Sequence, residues 1–235
     1  MPNHHLFFDL DRTLWDFETN SENALKQLFD EKDLLGKIPS FEKFLKVYKK
    51  QNSILWHEYG KGNITKEFLR IARFSDTFAQ FQISDTQLAE QFDTDYLTIS
   101  PQQTSLLPNT HESLAYLKKL GYKMHIITNG FKEVQHVKLE KSNLKHYFDL
   151  ILCSEEAGTN KPNKEIFAHA IEKTGAKPHD SVMIGDDYEV DVLGALRFGM
   201  HAVHFDPTNK RPARKGEWRV LDLNQISGIL PWIFR

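Results

Sequence analysis

Short apolar runs alternate with stretches of helical periodicity along the second half of the chain. Runs of β character fall at Leu6 to Leu10, Lys123 to Thr128, Leu150 to Ser154, Ser181 to Gly185 and Ala202 to Phe205. After Lys123 the intervening segments are helical in spacing, over Phe131 to Leu144, Lys164 to Thr174 and Val190 to Phe198. This rhythm predicts βαβ units and a parallel sheet. Gly121, Gly175 and Gly199 stand where those helices end, at positions that favour left-handed backbone. Right-handed crossovers put the C-terminal ends of the strands on one edge, so Asp9, Thr128 and Asp186 are expected to converge there.

The first strand departs from the rhythm. Between Leu14 and about Leu106 the chain has almost no β-like alternation and reads as helices starting near Thr19, Ser40, Thr65 and Ser84. Thr19-x-x-Glu22 and Ser84-x-x-Gln87 have the spacing of capping boxes, and Ala24, Leu25, Leu28 and Phe29 form an apolar stripe that reads as core packing. Pro108-Asn109-Thr110-His111-Glu112 opens the crossover helix that returns to the sheet. The fold class is therefore α/β, with a parallel-sheet core over 1–14 and 106–235 and a helical cap, a lid over the strand ends, over 15–105.

A chain of 235 residues suits one large or two modest domains and can bury a substantial core. Its formal net charge of −2 argues against a nucleic-acid polymer as partner, because phosphate backbones are met by strongly basic surfaces. The single cysteine, Cys153, follows Leu150-Ile151-Leu152 and reads as a small buried hydrophobe. With one cysteine no intramolecular disulfide can form, which fits a reducing compartment. No basic segment followed by an apolar one opens the sequence, and no apolar stretch is long enough to span a bilayer. The expectation is a cytoplasmic protein with no membrane partner.

Candidate chemistry lies where the apolar runs end. Asp9-Leu10-Asp11 places two carboxylates two residues apart after Leu6-Phe7-Phe8; alone, it fits a solvated turn or a metal loop as well as a catalytic pair. Three further segments end apolar runs in the same way: Ile126-Ile127-Thr128-Asn129-Gly130, Asn160-Lys161-Pro162-Asn163, and Val182-Met183-Ile184-Gly185-Asp186-Asp187 with Asp191 beyond it. A hydroxyl after a strand, followed by Asn129-Gly130, offers a side-chain donor and backbone N–H groups to an anion.

In that order these segments resemble the four motifs of the haloacid-dehalogenase-like hydrolase superfamily, and the resemblance covers the whole chain. It implies a Rossmann-like core with an inserted helical cap. Ile127-Thr128-Asn129-Gly130-Phe131, Tyr147-Phe148-Asp149-Leu150 through Ser154-Glu155-Glu156, and Lys161-Pro162-Asn163-Lys164-Glu165-Ile166-Phe167 are similar to bacterial pyrimidine 5′-nucleotidases. Leu55 through Thr65 in the insert is similar as well. The resemblance makes Asp9 the nucleophile that forms an aspartyl phosphate and Asp11 the general acid and base. It makes Lys161 the electrostatic partner of nucleophile and phosphate, and Thr128 and Asn129 phosphate contacts. Mg²⁺ falls to the Asp9 carboxylate, the Asp11 backbone carbonyl and Asp186, while Asp187 and Asp191 are assigned to the surroundings of the ion or to solvent. The implied activity is Mg²⁺-dependent hydrolysis of a small phosphorylated metabolite, a nucleoside 5′-monophosphate. Sugar and other metabolite phosphatases share much of the pattern and form the alternative. A haloacid dehalogenase is disfavoured because those enzymes lack the second aspartate, and a silent binding module because no motif residue is missing.

The remaining polar residues read as structural. Eleven histidines are scattered without metal-ligand spacing, and His4-His5 and His201 to His204 are read as sheet ends. Lys210, Arg211, Arg214 and Lys215 read as a solvated basic loop. Trp15, Phe17, Trp56 and Tyr59 are aromatic enough to stack on a base, but taken singly each reads better as buried packing.

Overall fold

A computed structural model describes residues 4–209 and 212–235. In chain order the elements are β1 (His5–Phe8), α1 (Phe17–Glu31), α2 (Phe41–Gly60), α3 (Lys66–Ala79), α4 (Thr86–Ile99), α5 (Thr110–Lys119), β2 (Lys123–Thr128), α6 (Lys132–Lys141) and β3 (Leu150–Cys153). They continue with α7 (Ser154–Ala157), α8 (Lys164–Thr174), β4 (Ser181–Gly185), α9 (Leu193–Phe198), β5 (His201–Phe205), β6 (Arg219–Val220) and α10 (Ile226–Ile233). The chain divides into two compact units, Met1–Phe17 with Thr104–Arg235, and Glu18–Gln103.

The first unit is built on a parallel sheet of order β3-β2-β1-β4-β5-β6. Alternation along β1 sends Leu6 and Phe8 to one face and Phe7 to the other. Leu6 and Phe8 pack with Leu114 and Leu117 of α5, Leu139 of α6 and Leu230 of α10. Phe7 packs with Ile166 and Phe167 of α8 and Ala195 of α9. Both faces are covered, which is why these strands read as unbroken apolar runs. The chain runs outward from β1 in both directions, to β2 and β3 on one side and to β4, β5 and β6 on the other. That reversal opens a crevice at the strand C-termini next to Asp9. Gly121, Gly175 and Gly199 have φ of 87°, 65° and 98°, the left-handed helix ends expected of them.

Sequence periodicity misses β6, two residues long and bonded to β5 through His204↔Arg219 and Phe205↔Val220. Two residues carry no readable period. The edges of the unit also lie further out than 14 and 106. Trp15 is fully buried in the sheet's core, Asp16 N–H donates to Ser105 C=O at 3.1 Å, and Leu107 N–H to Leu14 C=O at 2.9 Å. These bonds hold residues 15–17, 104 and 105 in the sheet unit rather than the insert.

The second unit is a set of four helices around an aromatic core. Phe44 of α2 lies 5.5 to 6.0 Å from the ring centroids of Phe29, Phe78 and Phe92, which come from α1, α3 and α4. Ala24, Leu25, Leu28 and Phe29 are buried in that core, as their stripe implies. Beside it the buried Arg73 guanidinium is bonded to Asp93 at 2.7 Å and lies over the Tyr96 ring. Trp56 and Tyr59 meet edge to face at 5.6 Å, both half-buried.

Ser40 and Thr65 cap α2 and α3 as expected, accepting from Lys43 N–H and Phe68 N–H. The other two expected caps are displaced. Thr19 lies inside α1, which starts at Phe17, and α4 is capped by Asp85, whose carboxylate accepts from Leu88 N–H at 2.9 Å, not by Ser84. A carboxylate also favours the positive end of the helix dipole, and Asp85 stands one residue nearer the helix. Among the described residues no helix is long and apolar enough to cross a membrane.

Candidate active site

β1 extends by one further bond, Asp9 N–H to Ile184 C=O at 2.9 Å, and then turns sharply: Leu14 and Trp15 N–H both close onto Leu10 C=O, and Arg12 adopts φ 65°. This turn lifts Asp9 and Asp11 out of the sheet at the crevice between β2 and β4. Asp9 ends in a buried environment, and burial, with Asp191 beside it, pushes its carboxyl up to about 7 against the opposing pull of Lys161.

Lys161 is the centre of the arrangement. Its Nζ donates to Asp9 Oδ1, Asp191 Oδ1 and Ile127 C=O, each at 2.7 Å. An ammonium has three protons, so all are committed within the protein. An anion at this site would therefore meet the charge of Lys161 rather than a spare N–H. Burial disfavours its charge, but Asp191 and Asp9 more than offset this and hold its pKa above the ordinary value.

Asn129 fixes that lysine. Its side-chain oxygen accepts from Lys161 N–H at 2.8 Å and its Nδ2 donates to Lys161 C=O at 3.0 Å. The side chain is thus a clamp on the Lys161 backbone. Thr128, buried at the end of β2, accepts from Gly130 N–H at 3.1 Å and from Gln135 Nε2 at 2.8 Å. Both lone pairs are occupied, which leaves its O–H as a donor. A Cβ at Gly130 would lie 1.8 Å from Gln135 Nε2, so any side chain there would push Gln135 out of this position.

The Asp11 carboxylate is held on α6, by Lys138 Nζ at 2.6 Å and Gln135 Nε2 at 2.8 Å. Lys138 is buried and lies 4.1 Å over the Trp15 ring. Neither residue is among the sequence expectations. The signal was their spacing, since positions 135 and 138 share one face of α6, but in sequence that face reads only as polar.

The acidic cluster consists of Asp9, Asp186 and Asp191, whose carboxylates lie within 4.8 Å of one another. Asp11 contributes no carboxylate to it. Asp191, expected around an ion or in solvent, is not solvated: it is buried beside the other two carboxylates and ion-paired to Lys161. It reaches inward because the π-type turn Tyr188–Val192 is capped by Asp187, which accepts from Glu189 and Val190 N–H at 2.9 and 3.0 Å. Gly185 leaves room for it, since a Cβ there would lie 2.2 Å from the Asp191 carboxylate. Burial first, then Asp9 and Asp191, raise the Asp186 carboxyl well above its ordinary range. His204 steadies this end through Asp186 C=O at 2.9 Å and Glu217 at 2.9 Å. Of the basic loop, Arg214 stacks on Tyr188 at 3.6 Å, while Lys210 and Arg211 lie outside the described residues.

A Rossmann-like sheet that gathers an aspartate pair, a strand-end threonine, a buried lysine and an acidic turn at its C-terminal edge defines a class of hydrolases. The haloacid dehalogenase-like hydrolase family model matches residues 4–199, and the chain belongs to that family. It is 31% identical over 229 residues to pyrimidine 5′-nucleotidase YjjG of Escherichia coli K12, covering 96% of each chain. It is 28% identical to the ribulose-1,5-bisphosphate 5-phosphatase of Halopiger xanaduensis, over 88% of this chain and 87% of that one. Its fold matches the HAD-hydrolase YfnB of Bacillus subtilis, solved bound to magnesium, with a TM-score of 0.87 and 24% identity over 98% of this chain and 100% of that one.

Proposed function

We propose that the protein is a Mg²⁺-dependent phosphomonoesterase that works through an aspartyl phosphate on Asp9 and acts on nucleoside 5′-monophosphates, pyrimidine ones foremost. The observation that carries the chemistry is the Lys161 ammonium held 2.7 Å from Asp9 at a crevice where Asp11 and Thr128 also arrive. Lys161 binds one oxygen of the Asp9 carboxylate and orients the other for attack on phosphorus. As the new P–O bond forms and the ester P–O bond breaks, Asp11 gives its proton to the departing alkoxide. Asp11, now a carboxylate, takes a proton from water as that water attacks the phosphoryl group. Asp9 is released as a carboxylate and inorganic phosphate leaves. Thr128 O–H and the main-chain N–H of Asn129 receive the phosphoryl oxygens.

The donor set fits a small hard cation. Three carboxylates crowd within 4.8 Å around one buried ammonium, a net negative charge that oxygen-preferring Mg²⁺ would balance. Asp9, Asp186 and the Asp11 main-chain carbonyl would hold it, with Asp191 turned to Lys161. When bound it supplies positive charge that lets a phosphate dianion approach Asp9.

Similarity to YjjG over almost the full length of both chains supports the nucleotide reading. Likeness to a ribulose bisphosphatase supports a sugar phosphate as the second reading. A panel of UMP, dUMP, dTMP, ribulose and glucose phosphates and p-nitrophenyl phosphate separates them. Pyrimidine nucleotides are expected to have the highest kcat/KM, with activity lost in EDTA, restored by Mg²⁺ and absent in Asp9→Asn. Greater efficiency on the sugar phosphates would sink the nucleotide reading, and full activity in EDTA the metal.

A further inference from the structure

We infer that Cys153, His136 and Glu156 form a binding site for a borderline-soft divalent cation of the zinc class, separate from the all-oxygen cluster of Asp9, Asp186 and Asp191. The three residues come from different elements, the end of β3, the middle of α6 and α7, and their ligand atoms all lie within 4.8 Å of one another. A tetrahedral zinc site with bonds of about 2.0–2.3 Å sets its ligands about 3.3–3.8 Å apart, so the triangle would close by at most about 1.5 Å. A sulfur, an imidazole nitrogen and a carboxylate oxygen are a zinc-type donor set, with a fourth position for water. The carboxylate cluster offers oxygens alone, the preference of Mg²⁺. The two sites therefore differ in the ions they select.

The surroundings leave a way in and a way to assemble. Cys153 is fully buried, His136 half-buried and Glu156 exposed, so the triangle opens outward along Glu156. Glu156 is already aimed, its Oε2 accepting from Cys153 N–H at 3.3 Å. Its Oε1 pairs with Lys132 at 2.9 Å, and that lysine, half-exposed, can withdraw to water when a cation takes the carboxylate. Burial, reinforced by Glu156 and Glu155, pushes the Cys153 thiol up to about 12, so the metal-free site holds a neutral thiol. Cation entry forms the S–metal bond as the S–H bond breaks, and the proton leaves to solvent. His136 sits on α6 between Gln135 and Lys138, the residues that hold Asp11. Occupancy would thus tie to β3 and α7 the helix that positions Asp11.

Cobalt(II) titration of the full-length, metal-stripped protein in excess Mg²⁺ tests the site. Cys153 is the chain's only cysteine, so a thiolate-to-cobalt charge-transfer band in the near ultraviolet can come from nowhere else. The expected result is that band at one cobalt per chain, displaced by Zn²⁺, absent in Cys153→Ser, and still present in Asp186→Asn. His136→Gln lies nearer the surface and keeps the test intact should Cys153→Ser fail to fold. It should weaken cobalt binding by at least about tenfold, the low end of what losing even an outer partner of a metal site costs. No thiolate band in the wild-type protein, or a band and affinity unchanged in His136→Gln, would overturn the inference.

Discussion

Lys138 shows how much of this site rests on residues outside the four motifs. Its ammonium is buried between the Asp11 carboxylate at 2.6 Å and the face of Trp15 at 4.1 Å, so one residue fixes the side chain proposed to carry the proton and closes the turn behind it. Removing the charge while keeping the bulk, as Lys138→Met, should release Asp11 without opening a cavity. General acids contribute about 10²–10⁴-fold to such reactions, and a mispositioned one loses part of that. The kcat for an alkyl phosphate should therefore fall by roughly tenfold or more, with a smaller loss for p-nitrophenyl phosphate, whose leaving group needs little protonation. Equal losses on both substrates, or none, would show that Lys138 does not act through Asp11. Asp9, Thr128 and Asp186 stood out at this scale because each follows an apolar run, and Asp11 and Lys161 through the resemblance of their motifs. Gln135, Lys138 and the inward turn of Asp191 did not, because what selects them is a partner more than a hundred residues away, or a buried ammonium, rather than local spacing.

At the scale of the element, helix starts set a sharper test than helix existence. Ser84 and Asp85 are adjacent and both are good capping residues, but only the Asp85 side chain meets the N–H groups of α4. Asp85→Ala should destabilise the protein by about 1 kcal/mol, the usual worth of an N-cap. Ser84→Ala should stay within about 0.5 kcal/mol, as surface changes do. Urea unfolding of the two variants measures the difference, and a larger loss for Ser84→Ala would contradict the assigned cap. The same reasoning explains Thr19. The apolar stripe of α1 is correct, yet the helix begins two residues earlier, where Phe17 can still pack against the sheet's core.

For the whole molecule, a buried histidine pair at the opposite end of the sheet is expected to contribute to the response to acid. His5 Nδ1 and His125 Nε2 are 2.9 Å apart on the neighbouring strands β1 and β2. Burial, with His5 and Lys123 nearby, lowers the His125 pKa to about 3, and burial with Lys123 lowers that of His5. A histidine depressed in the folded state binds more protons when unfolded, so its contribution to stability is intact above the unfolded value of about 6.5 and falls as pH drops below it. For His125 the loss runs from about pH 6.5 towards 3, at up to about 1.4 kcal/mol per pH unit. His125→Gln should flatten that part of the profile in urea unfolding at pH 7 and pH 5. An unchanged slope would show that the pair is not what acid attacks.

The sequence by itself determined the sheet, the helical insert and the strand-end residues, because each follows from short apolar runs, from the helical period of 3.6 and from the rule that parallel strands present their C-terminal ends together. The tertiary structure alone decided which polar residues meet. Lys161 faces Asp191 as well as Asp9, Asn129 grips the Lys161 backbone, and His136, Cys153 and Glu156 converge from three elements. Pairings of that kind depend on crossover geometry and on the desolvation of each charge. Neither is a property of neighbouring residues in the chain.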